Sequence, residues 1–183
     1  MSAVKTDKGW KTEKLASAIN QGVWQADVSL SSDGNVIMFA SKYKDNYHSG
    51  AVYSDTDPEG RFNTDIYVSI KDENGDWGKP VNLGSVINTK YCERSPFLHP
   101  DMKTLYFASA GHGGLGEEDI FMSKRLSDSS WTQWSEPVNI GKEINTPKSD
   151  KDYKVSTDGK FAYFSKFTEN NHADIYSIEL PVK

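Results

Sequence analysis

The chain of 183 residues has one cysteine, Cys92, so no disulfide can form within it and no cysteine-built zinc site is available. It has only three arginines, Arg61, Arg94 and Arg125, and a net charge of −5, which leaves no basic face for a nucleic acid. No stretch nears the ~18 consecutive apolar residues of a membrane span. The opening residues, MSAVKTDKGWKTEK, are charged and have no apolar centre, so the sequence as given shows no signal peptide. Helical periodicity is absent apart from a weak pattern at 12–19, which aligns with strand-like copies elsewhere and is assigned as strand. What the chain does have is aromatic residues, 12% of the total and spread along its length, within a 36% hydrophobic content. That is enough to build a core.

Three landmarks recur in fixed order. A turn appears as SSDG at 31–34, HPDM at 99–102 and STDG at 156–159. A triplet follows as Asp65-Ile66-Tyr67, Asp119-Ile120-Phe121 and Asp174-Ile175-Tyr176. A tryptophan with a later Ile-Asn pair appears as Trp10 with Ile19-Asn20, Trp77 with Ile87-Asn88, and Trp134 with Ile144-Asn145. The turn aspartates Asp33, Asp101 and Asp158 are spaced 68 and 57 residues apart, and the tryptophans 67 and 57. One insertion between Ser41 and Asp65 accounts for the longer first repeat.

Within each repeat, runs of β-branched and aromatic residues of strand length flank the turn, and the triplet opens a third strand. A fourth is expected at 79–83 and 136–140. Four antiparallel strands in a repeat of this length predict an all-β protein built of β-propeller blades, because a sheet with two apolar faces must be covered by neighbours on both sides. The expected division is 1–25 as the end of a preceding blade, 26–93 as a blade with an insertion at 42–64, 94–151 as a second blade and 152–183 as an incomplete one.

The sequence SxDGK, an apolar strand, DIY, and then W-x-x-P-V-N-L-G-x-x-I-N-T resembles the TolB-like, WD40-like β-propeller repeats called PD40. It is most similar to those of Bacteroidetes cell-envelope proteins, which often carry an OmpA-like domain. Met102 departs from the family pattern, standing where the turn usually has Gly. If the position needs a positive φ, methionine costs about 1 kcal/mol there. The resemblance implies a periplasmic or cell-envelope location and a protein or peptidoglycan-linked partner.

The chain holds about three blades, against the ~4–8 that close a propeller. Three readings remain: further blades from a longer chain, a second copy completing a six-bladed ring, or an open arc.

Catalysis is not expected. The triplet aspartates Asp65, Asp119 and Asp174 recur in every repeat, whereas catalysis needs one tuned constellation. A short acceptor entering a strand serves loop N–H groups instead. The turn aspartates suit tight turns. Trp10, Trp77 and Trp134 share one position and are assigned to packing within blades. Trp24 and Trp131 lie outside it, and either is a candidate for an exposed aromatic on a loop. The glycine-rich stretch 111–116 lacks the residues of a phosphate loop. Acidic clusters at Asp55, Asp57 and Glu59, and at Glu117, Glu118 and Asp119, are assigned to solvated surface. Cys92 is assigned as a small buried hydrophobe. No metal and no cofactor is expected.

A binding face is expected instead. The insertion carries Tyr43, Tyr47, His48, Tyr53 and Phe62, a mixture suited to a contact surface. His112 and His172 fall in the equivalent loop of the next blades, on the same side. The reading is therefore a non-catalytic scaffold that displays loops for binding in the envelope. Alternatives are a carbohydrate-active lyase or hydrolase and a structural oligomerisation module.

Overall fold

The structure, a computed structural model, describes residues 2–15, 17–22, 24–43, 46, 63–170 and 172–181. It is all-β, with a single three-residue 3-10 helix at Ile19–Gln21 among the described residues. A hairpin of β1 (Ser2–Thr6) and β2 (Gly9–Glu13) opens the chain. The first four-stranded antiparallel sheet runs in the order β3 (Trp24–Leu30), β4 (Val36–Lys42), β5 (Asp65–Ile70), β6 (Val81–Asn82). The second is β7 (Glu93–Leu98), β8 (Thr104–Ser109), β9 (Asp119–Lys124), β10 (Val138–Asn139). The third has three strands, β11 (Asp150–Val155), β12 (Phe161–Phe167) and β13 (Ala173–Glu179). The sheets are propeller blades, and they do not close into a ring.

The blades stack face to face. One face of the first (Val36, Met38, Ile66, Val68) meets Leu105, Phe107 and Phe121 of the second, with Leu83 and Ile87 sealing the joint. The other face of the second (Ile120, Tyr106) meets Tyr153, Ala162 and Phe164 of the third, sealed by Ile144. On the outer side of the first blade, Ile37, Phe39 and Tyr67 are covered by Leu15 and Ile19. The segment assigned as strand at 12–19 is thus strand only to Glu13; Ile19 enters the 3-10 turn and acts as a plug.

The turns close by one scheme. Ser31 Oγ donates to Asp33, whose Oδ1 accepts the Asn35 N–H, and Ser156, Asp158 and Lys160 repeat this. In the second turn Asp101 Oδ1 accepts the Lys103 and Thr104 amides. Gly34, Met102 and Gly159 hold φ of 73°, 58° and 72°, so the departure at Met102 keeps the turn type and bears the strain. A Cβ at Gly34 would meet no atom within 4 Å, so its substitution tests the backbone alone. Gly34→Ala is expected to cost about 1 kcal/mol, measured by urea unfolding.

The tryptophans do not share one environment. Trp134 is 3% exposed, but Trp10 is 70% exposed. The assignment of Trp10 to blade packing is therefore corrected. Trp77 and Trp134 bridge back to the end of their own blade's third strand, opposite Lys71 and Arg125, whereas Trp10 pairs with Lys5 in a two-stranded hairpin whose second strand is exposed throughout.

Candidate functional site

Two groups of residues could carry function: the inner strands where the blades meet, and the loops at the outer end of β4, β8 and β12.

The inner strands β3, β7 and β11 share a feature absent from the sequence landmarks. Each has a register shift at the same place, after Ala26, Arg94 and Lys151. The residue that follows, Asp27, Ser95 or Asp152, holds a positive φ of 54°, 49° or 59°. These β-bulges turn three side chains toward one point. Ser95 Oγ donates to Asp152 Oδ1 at 2.9 Å. Asp27 Oδ2 accepts the Ser95 N–H at 3.1 Å and Arg94 Nε at 3.0 Å. The Arg94 guanidinium lies 5.9 Å from the Trp24 ring, and Asp27 outweighs the desolvation to keep it charged. Val28, Pro96 and Lys154 complete a shallow pocket of about 100 Å³.

The chemistry of this pocket is that of a fastener. Asp27 is engaged by an arginine and a main-chain amide from the next blade, and Ser95 spends its proton on Asp152. The volume holds a few waters, far below the roughly 300 Å³ at which ligand pockets begin. One signal in the sequence could have found the cluster. Asp27, Ser95 and Asp152 each stand six residues before the turn aspartate, at the repeat spacing of 68 and 57.

A second fastener holds the tail of each blade. Asn88 Oδ1 accepts the Ile66 N–H at 2.8 Å, while its amide donates to Ile66 O and Asn82 Oδ1. Asn145 does the same to Ile120 and Asn139. Asn82 and Asn139 in turn accept the N–H of Gly84 and Gly141, whose φ of 89° and 102° bend the chain back. This turn ends β6 and β10 after two residues, shorter than the 79–83 and 136–140 expected. The triplet aspartates sit beside it. Asp65 Oδ2 accepts the Asn82 amide, and Asp119 Oδ2 accepts the Leu115 and Gly116 N–H groups. A Cβ at Gly114 would fall 1.6 Å from Asp119 Oδ2, so that glycine is the residue that lets the loop wrap the carboxylate. Asp174 is exposed.

The following threonine holds a buried acid. Thr89 N and Oγ1 donate to Glu93, which also accepts Ser109 Oγ. Thr146 repeats this on Asp150. Burial pushes Glu93 up to about 8 despite these donors, and raises Asp150 in the same direction.

Of the expected binding face, Tyr47, His48, Tyr53 and Phe62 lie outside the described residues. Tyr43 and His112 are turned inward. Tyr43 Oη donates to Ile19 O at 2.6 Å and packs edge-on against Tyr67. His112 Nε2 lies 2.9 Å from Ile87 O, between Phe107 and Phe121. Both rings thus tie a loop to the tail of the blade before it. His172 is exposed. Trp24 and Trp131 are half-buried under Arg94 and Arg125 rather than displayed on loops, the Arg125 guanidinium lying 4.0 Å from the Trp131 ring. Glu118 is not solvated surface either, since it pairs with Lys151. Burial pushes the Cys92 thiol up to about 12.

Among the described residues no helix is long and apolar enough to cross a membrane. No family model matches the sequence, and no curated protein matches it. Solved structures do match. TolB from Acinetobacter baumannii superposes on 87% of this chain with a TM-score of 0.51 at 14% identity, and a thermostable family-43 glycoside hydrolase on 86% with 0.53 at 12%. The chain spans 30% and 48% of those proteins. At such identities the likeness is one of architecture: the sheets share the β-propeller fold of these structures.

Proposed function

We propose that the chain is a non-catalytic β-propeller scaffold whose loops bind a protein or peptidoglycan-linked partner in the cell envelope. One observation carries the non-catalytic part. Six of the carboxylates that repeat along the chain accept structural donors: main-chain amides at Asp33, Asp101, Asp158 and Asp119, a side-chain amide at Asp65, and an arginine at Asp27. A carboxylate engaged in this way is a fixture of the fold and is not poised for proton transfer. The periplasmic setting follows from the resemblance to envelope repeats of the Bacteroidetes type, linked there to OmpA-like domains, and the TolB-like fold supports it.

The binding surface in this reading is formed by the insertion together with the loop that carries His172. The test is co-sedimentation with purified peptidoglycan sacculi, and retention of envelope proteins on the immobilised chain. A variant lacking 47–62 keeps Tyr43 and Asn46, whose bonds anchor the loop base. It is expected to fold and to bind at least about tenfold more weakly. Unchanged binding by the folded deletion removes the insertion from the site.

A carbohydrate-active reading rests on Asp27 and Asp152 flanking Ser95 in the axial pocket. Cleavage of a polysaccharide by the wild type, lost in Asp152→Asn with the fold intact, would establish it in place of the scaffold.

A further inference from the structure

Between the second and third sheets, the residues that lead into β9 run beside those that lead into β11. Glu118 and Ser149 form a parallel bridge there, and the Asp150 N–H donates to Glu118 O at 2.8 Å. Ser149 Oγ reaches Glu118 at 3.3 Å, so these two side chains share one side of the bridge. Side chains alternate along extended chain, which brings their successors, Asp119 and Asp150, together on the other side. Both are buried, at 1% and 0% exposure.

Each of these carboxylates is satisfied on one oxygen only. Asp119 Oδ2 accepts the Leu115 and Gly116 amides, and Asp150 Oδ2 accepts Thr146 N and Oγ1. Asp119 Oδ1 and Asp150 Oδ1 are buried and meet no donor. Burial first, and the charge of Asp119 after it, push Asp150 up, so the two groups repel. The cation opposite Asp150 in the ladder is Lys166, but its Nζ is turned to Glu143 O at 3.1 Å and lies over the rings of Phe164 and Tyr176. Lys151, next in the chain, pairs with Glu118 across the other side of the bridge.

The joint between the first and second sheets shows what this one lacks. Glu93 stands there at the place of Asp150, and Ser109 at the place of Lys166. The longer side chain takes Ser109 Oγ and Thr89 Oγ1 on one oxygen and Thr89 N on the other, so both are served. Asp150 is one methylene shorter and finds no hydroxyl across the ladder. Two bare oxygens of like charge are left where the glutamate leaves none.

We propose that Asp119 Oδ1 and Asp150 Oδ1 bind a divalent cation of the calcium class at the joint between the second and third sheets. Buried carboxylate oxygens without a donor call for a metal or for an opposite charge. Two carboxylates cancel the charge of a divalent ion, and ligation by oxygen alone, with water completing the shell, is the coordination calcium takes. Because the amides that fix Asp119 belong to the exposed loop at 113–117, the ion ties that loop to both sheets. Two protein carboxylates make a weak site, with a Kd on the order of 10⁻⁴–10⁻³ M.

The test is calorimetric titration of the chelator-treated chain with CaCl2, alongside thermal melting in EDTA and in excess CaCl2. The wild type is expected to take up one ion per chain, and its midpoint to rise by about 3–5 °C as the site fills. Asp119→Asn and Asp150→Asn each keep an oxygen for the donors already present. Each is expected to fold and to bind calcium at least about tenfold more weakly. If one of the two fails to fold, the other decides. Asp174→Asn alters the exposed copy of the same triplet and is expected to bind as the wild type does. A wild type that takes up no calcium overturns the proposal and leaves the charge of the joint to a proton or to Lys166. Uptake that survives in the folded Asp119→Asn and Asp150→Asn proteins, or that is lost in Asp174→Asn, puts the ion elsewhere and overturns it as well.

Discussion

Asn145→Ala is expected to lower unfolding stability by about 3–5 kcal/mol, a substantial fraction of the roughly 5–15 kcal/mol that a domain possesses. The side chain is buried and satisfies the N–H and C=O of Ile120 together with Asn139 Oδ1. Truncation leaves a main-chain donor and acceptor unpaired in a joint where Ile120 and Ile144 exclude water. Asn145→Asp is nearly isosteric but loses the donor, and places a charge against Ile120 O, so it should fare no better. Asn20→Ala is the control. The same motif residue is exposed and, among the described residues, donates to Leu15 O, so its loss should stay within about 0.5 kcal/mol. Chemical denaturation of the three variants measures the contrast. Equal losses at 20 and 145 would show that the motif, and not its burial, sets the cost.

Stability is expected to fall as pH rises from about 5 to 8, the reverse of the usual acid-side loss. Glu93 is buried, and desolvation raises it from 4.5 to about 8 in the folded protein. Between those values the folded state holds a proton that the unfolded chain has released, so raising the pH favours unfolding. The shift corresponds to roughly 3–5 kcal/mol across the window. Asp150, raised by burial at the equivalent place, adds to the same slope. Asp101 works in the other direction. Although partly desolvated, its carboxyl is held low by the Thr104 hydroxyl and the Lys103 and Thr104 amides, so its contribution is lost as pH falls through the acid range. Glu93→Gln should flatten the upper part of the profile and exceed the wild type in stability above pH 8. The fold itself supports this choice, because Gln25 stands at the equivalent position of the first blade and donates to Ser41 Oγ, the counterpart of Ser109. A wild-type profile that rises from pH 5 to 8 would show that the three donors around Glu93 keep it ionised.

The fold was legible because its signals are local. A turn such as SSDG needs Ser31, Asp33 and Asn35 to bond one another, and residues that close need only their own spacing to be recognised. The clamp was half legible. The Ile-Asn pair was visible as a recurring landmark, but its work is done 22 and 25 residues away, on Ile66 and Ile120. The axial cluster was missed although its period is written in the sequence, because Asp27, Ser95 and Asp152 are not one residue type. What they share is a positive φ at a bulge, a property of strand pairing. Tyr43 and His112 were recognisable as loop aromatics. Their carbonyl partners, Ile19 and Ile87, belong to the preceding tail, so their inward turn depended on how the blades stack.

The sequence by itself determined the strands, the turns, the repeat and therefore the blade, since each rests on alternation and on hydrogen bonds between near neighbours. Only the tertiary structure decided which copies of a repeated residue are buried. Ile66, Ile120 and Ile175 are one residue type in one register, yet two are sealed and the third is open. Asp119 wraps a loop while Asp174 is exposed, and Trp134 is packed while Trp10 is bare. The physical reason is that burial belongs to the face laid against a strand and not to the strand. A sheet in this fold hides its apolar side only where another sheet stacks upon it, and that neighbour lies some 57–68 residues away in the chain.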